Sequence, residues 1–98
     1  MKTLLAMFFV TALARAGDDQ AQRAGAKLFA HECAPCHGRN REGGGKAPSL
    51  KRPEITQAPP EHLLQVLRDG IIYHGMPSFA HLPGPQRRQI VEFLQSHP

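Results

Sequence analysis

The sequence predicts an all-α domain. Three stretches carry apolar residues at helical spacing, no two runs alternate apolar and polar residues as paired strands would, and glycine and proline cluster between the helical stretches. A stretch of about 20 residues without helical or strand period, Gly38 to Ala58, is too long for an ordinary connection in a compact domain unless it is functional or folds around something. Three main helices and one long loop are therefore expected.

The first element is an address. Lys2 opens it, Leu4 to Leu13 is a nearly unbroken apolar run, and Ala14-Arg15-Ala16 has the small-x-small pattern of a leader cleavage site. The run is about ten residues, well short of the roughly 20 that an apolar helix needs to span a bilayer, so the expectation is a secretory signal peptide over residues 1–16, cleaved near Ala16, with a periplasmic domain over 17–98. A retained membrane anchor is the alternative. Removal of the leader leaves 82 of the 98 residues and takes away Lys2 and Arg15, so the formal charge falls from +4 to +2. That near balance, with one Tyr and no Trp for base stacking, makes nucleic acid a poor partner.

The first helix is expected over Asp18 to Glu32, with Asp18 and Asp19 as capping residues and Ala21, Ala24, Gly25, Leu28 and Phe29 as its apolar stripe. Pro59-Pro60 opens the second, which buries Leu63, Leu64 and Leu67 and stops at Gly70. Ile71 to Pro77 is apolar but broken by Gly75 and Pro77, and reads as a turn-rich segment. Gly84-Pro85 starts the last helix, Gln86 to Ser96, with Ile90, Val91, Phe93 and Leu94 on its apolar face.

A domain this small buries only about 60% of the surface its unfolded chain exposes, so a staple is needed. The two cysteines cannot supply a disulfide framework, because a bridge from Cys33 to Cys36 would close too short a loop to remove much chain entropy. Three chemistries use their spacing. A thioredoxin-like pair belongs at the start of a helix after a strand, whereas the chain before Cys33 is helical. Structural zinc calls for a second pair or two histidines at short fixed spacing, and His62, His74, His81 and His97 are scattered. The third chemistry uses every residue of Cys33-Ala34-Pro35-Cys36-His37: two thiols form thioethers to the vinyl groups of one haem c, and His37 ligates its iron.

From Gly25 to Leu94 the chain resembles a small class I c-type cytochrome. The resemblance rests on Cys33, Cys36 and His37, and on Gly25, Phe29 and Cys33 at i, i+4 and i+8. It implies the cytochrome c fold, in which the N-terminal helix crosses the C-terminal one at a glycine, here facing Phe93 or Leu94. Met76, the one methionine left after the leader, stands in Gly75-Met76-Pro77, similar to the family's Met-Pro setting, and is the expected second axial ligand; bis-histidine ligation, with His74 nearest, is the rival. The resemblance also implies that Pro48, in Pro48-Ser49-Leu50, offers its carbonyl to the proximal histidine, and it makes Arg39, Lys51 and Arg52 candidates to hold the haem propionates. The Arg- and Gly-rich loop after His37 departs from the common version.

A soft, uncharged thioether that fills the sixth position favours electron transfer over ligand or substrate chemistry. The expected function is that of a non-enzymatic, monomeric single-electron carrier that meets its redox donor and acceptor transiently through Lys46, Lys51, Arg87 and Arg88. A fixed electron-transfer subunit of a periplasmic dehydrogenase or oxidase is the alternative, and a ligand-binding or peroxidatic haem protein a further one.

Overall fold

The computed structural model describes residues 19–96. The expected leader and its cleavage point near Ala16 lie outside them. Helix α1 covers residues 19–32, α2 Ala34–His37, α3 Pro53–Thr56, α4 Pro60–Asp69 and α5 Gly84–Ser96, with a 3₁₀ turn over Ile72–His74. The three long helices fall where apolar period places them, and the described residues contain no strand, only an isolated bridge between Ile71 and Met76.

Two boundaries differ from expectation. The aperiodic stretch contains one helical turn, α3, where Pro53 pre-sets the first-turn backbone and Glu54 complements the positive helix end. The last helix starts at Gly84, because the Pro83 carbonyl accepts from the Gln86 and Arg87 amides and so draws Gly84 and Pro85 into its first turn.

Helix α5 is the hub. It packs against α3 and α4, and the Gln95 side-chain amide donates to the carbonyls of Ile55 and Ala58, tying the end of the long loop to its last turn. Where α1 meets α5 the backbones approach at Gly25: a Cβ there would stand 2.9 Å from Phe93 Cβ and closer still to the Gln89 carbonyl oxygen. Only glycine allows that approach. Phe29 and Phe93 then meet at 5.6 Å between ring centroids, with the Arg41 guanidinium 5.3 Å above the Phe93 ring. Of the two facing residues considered, Phe93 is thus the one at the crossing.

The core comprises Phe29, Cys33, Leu63, Leu67, Phe79, Leu82, Ile90, Val91 and Leu94, with Ile90 fully buried. All of these except Phe29 and Leu82 also line one cavity. The core is therefore built around a space, and the wall of that space is what the helices hold in place.

Candidate haem site

Cys33, Cys36 and His37 lie at i, i+3 and i+4, which on helical backbone puts three side chains on one face. The backbone there is helical with one break. Pro35 has no amide hydrogen to continue the α1 ladder and instead occupies the first turn of α2, a position that suits proline. Continuity survives through the Cys33 amide donating to Phe29 (2.8 Å) and the His37 amide donating to Cys33 (3.0 Å). Both cysteines are free thiols; Cys33 is buried and Cys36 exposed.

The loop after α2 turns back on itself. The Gly43 amide donates to the His37 carbonyl (2.7 Å), the Gly44 amide to Ala47 (2.9 Å) and the Leu50 amide to Arg41 (2.9 Å), while the Ser49 hydroxyl also donates to Arg41. Gly43 has a φ of 85°, and a Cβ on it would meet the backbone of Pro48 and Ser49 at 2.9 and 2.6 Å. This tight return brings Pro48 to His37, whose Nδ1–H donates to the Pro48 carbonyl at 2.9 Å. A carbonyl can only accept, so the proton sits on Nδ1 and the Nε2 lone pair is left to serve as a ligand.

Met76 is positioned by a second pinned loop. Ile71 and Met76 exchange amide-to-carbonyl hydrogen bonds of 2.9 and 3.1 Å, and the 3₁₀ turn between them is closed by His74 donating to Ile71 and Gly75 donating to Ile72. On the far side, the Phe79 amide donates to Leu67 (2.7 Å) and the Ser78 hydroxyl to Arg68, which anchors the loop to the end of α4.

These pieces meet on a cavity of about 730 Å³ lined by Cys33, Cys36, His37, Pro48 and Met76 among mostly aliphatic side chains. The volume is within the roughly 300–1,000 Å³ usual for cofactor sites. Two thiols, one imidazole freed at Nε2 and one thioether, set in an otherwise apolar wall, suit a covalently held haem: residues fit group. They do not suit a redox dithiol, which needs a depressed thiol pKa. Burial first, then the charge of Glu32 and of Cys36, pushes the Cys33 thiol up to about 12. Nor do any three His, Cys, Asp or Glu side chains of the described residues converge as a protein-only metal site requires.

Cys33, Cys36, His37, Pro48 and Met76 are thus brought together. Arg39, Lys51 and Arg52 are exposed and stand outside the lining, which has Lys46 as its lysine and His74 as its second histidine. Glu32, also in the lining, is a residue that sequence reasoning missed. Its position next to Cys33 was the available signal.

A family model described as "Cytochrome C oxidase, cbb3-type, subunit III" matches residues 20–94. The quinohemoprotein alcohol dehydrogenase ADH-IIG of Pseudomonas putida is 35% identical over 82 residues, covering 83% of this chain. The chain spans 11% of the length of that relative. No solved structure matches. By the match over residues 20–94, the chain belongs to the c-type cytochrome family of that description and is a class I cytochrome c domain that binds haem c covalently.

Proposed function

We propose that the chain is an exported, periplasmic single-electron carrier, with residues 1–16 as a cleaved leader and residues 17–98 as one monomeric domain holding one haem c. Cys33 and Cys36 would hold the group as thioethers, and His37 and Met76 would ligate its iron. The observation that carries this reading is the convergence of two thiols, the Nε2-free His37 and Met76 on one apolar cavity. When bound, haem c supplies a one-electron Fe(III)/Fe(II) couple.

The residues divide the work. Met76, soft and uncharged, favours the reduced state and closes the position through which oxygen or a substrate would enter. Pro48 fixes the His37 tautomer and raises its basicity. The aliphatic wall of α4 and α5 keeps water from the centre, and the two pinned loops hold both ligands still between redox states.

Redox proteins are the partners of a cytochrome c domain, and we propose that this one meets them transiently. Arg39, Lys46, Lys51 and Arg52 make the loop after α2 basic, and Ile72 and Tyr73 stand out beyond the cavity, 73% and 102% exposed. Lys46 of that loop lines the same cavity as Ile71 and His74, which bracket the apolar tip, and this arrangement suits an acidic partner surface, so partner-reduction rates should fall as salt rises. Rates that ignore ionic strength would remove this docking mode. A second reading, a fixed electron-transfer subunit of a dehydrogenase or oxidase, draws support from the relative, a much longer protein named as an alcohol dehydrogenase. Copurification with such an enzyme separates the two.

The decisive test is an optical spectrum of the holoprotein, oxidised and reduced, with a reduced sample under carbon monoxide. A carrier gives sharp reduced c-type bands, the weak red-edge band of sulfur on ferric haem, and no response to carbon monoxide. A carbon monoxide shift would assign the chain to ligand or peroxide chemistry instead.

A further inference from the structure

Glu32 is the acidic side chain in the cavity lining. It directly precedes Cys33, and its side chain is only 23% exposed. Two histidines flank its carboxylate: Oε1 is 3.5 Å from Nδ1 of His31 and 4.0 Å from Nε2 of His81. His31 belongs to α1. His81 comes from the segment before α5, its ring set against Phe79, itself part of the lining. Both imidazoles are largely solvent-exposed and stand outside the lining, whereas Glu32 belongs to it. Lys46 and His74 are the other charged or titratable groups on the wall besides Cys33, Cys36 and His37, which the thioethers and axial bond use up.

We propose that Glu32 lowers the reduction potential of the cofactor held in this cavity, and that His31 and His81 set how strongly it does so as pH changes. The inference rests on the electron-carrier reading above. An oxidised centre carries one more positive charge than a reduced one, so a carboxylate on the wall favours the oxidised state. A protonated imidazole 3.5 Å (His31) or 4.0 Å (His81) from the carboxylate offsets its charge. The potential therefore rises when the flanking imidazoles are protonated. Each reduction takes one electron from the donor and a fraction of one proton from solvent onto His31 or His81, and no other bond is made or broken. For a unit charge on the wall of a partly enclosed site, at an effective dielectric constant of about 20, the Coulomb interaction is worth roughly tenfold in the reduction equilibrium.

The test is an equilibrium redox titration of the holoprotein at several pH values from about 5 to 9, for wild type, Glu32→Gln, Glu92→Gln and the double variant His31→Gln/His81→Gln. Glu92 is an exposed carboxylate of α5 outside the lining and serves as the control for loss of a solvated charge. Expected are a rise of roughly tenfold in the reduction constant for Glu32→Gln near pH 8, narrowing toward pH 5, and a change under threefold for Glu92→Gln. The double variant should show a smaller rise in potential between pH 8 and pH 5 than wild type, because His74 stays on the wall. A Glu32→Gln constant within threefold of wild type near pH 8 overturns the inference, as does an undiminished pH slope in the double variant. Should Glu32→Gln fail to retain haem, the double variant decides, because both its sites are solvent-exposed. Carbon monoxide binding by the reduced wild type would remove the carrier reading, whereas a missing Glu32 effect without such binding removes this inference alone.

Discussion

Replacing Gly25 by Ala sets two effects of opposite sign against each other. In the interior of α1 alanine is preferred over glycine by about 1 kcal/mol, so propensity alone predicts stabilisation. The new Cβ, however, would stand 2.9 Å from Phe93 Cβ, where carbon atoms settle at about 3.5–4.0 Å, and nearer still to the Gln89 carbonyl. That oxygen belongs to the backbone of α5 and has no rotamer to adopt. The helices must part by at least about 0.6 Å, loosening the Phe29–Phe93 contact with them. Overpacking of this kind costs about 1–3 kcal/mol, and an unyielding backbone neighbour places it at the upper end. The net expectation is a loss of about 2 kcal/mol, which for a domain of this size lowers Tm by roughly 10 °C. Thermal unfolding of the holoprotein followed by circular dichroism measures it. The wall suffers too, since α1 leads into Cys33 and α5 supplies Ile90, Val91 and Leu94. An alanine variant with a Tm equal to or above wild type would refute the reasoning, because propensity would then have outweighed the close approach.

Met76→Ala should abolish the red-edge band, lower the reduction potential within the range of about 0.8 V that axial ligation spans, and let the reduced protein bind carbon monoxide; optical titration reads all three. In the denatured holoprotein neither Cys33 nor Cys36 should be alkylated, because both are held as thioethers; a modified cysteine found by peptide mapping would break that assignment.

Expectation and structure part company where contacts are not local. The long helices were readable because apolar period, proline at first turns and Gly70 as a stop act over a few residues. The turn at Pro53–Thr56 escaped notice because four residues are too few to show a period. The resemblance makes Arg39, Lys51 and Arg52 the propionate candidates, yet they stay outside the lining while Lys46 enters it. Which side a loop side chain faces depends on hydrogen bonds such as Leu50 to Arg41, and these leave no pattern in the sequence.

By itself the sequence determined the chemistry that can be attached: the spacing of Cys33, Cys36 and His37 puts them on one helical face whatever surrounds them, because i, i+3 and i+4 neighbours are set by helix geometry. It also carried the family and the all-α class. Only the tertiary structure decided that His37 offers Nε2, since that requires a carbonyl eleven residues away to hold Nδ1–H. Tertiary structure also decided that the helices enclose a cavity rather than a closed core, and that His81 joins His31 beside Glu32, a residue of its lining. Spacing along a helix is a local property of the backbone, whereas the charge and shape of the cavity are sums over groups that only folding brings together.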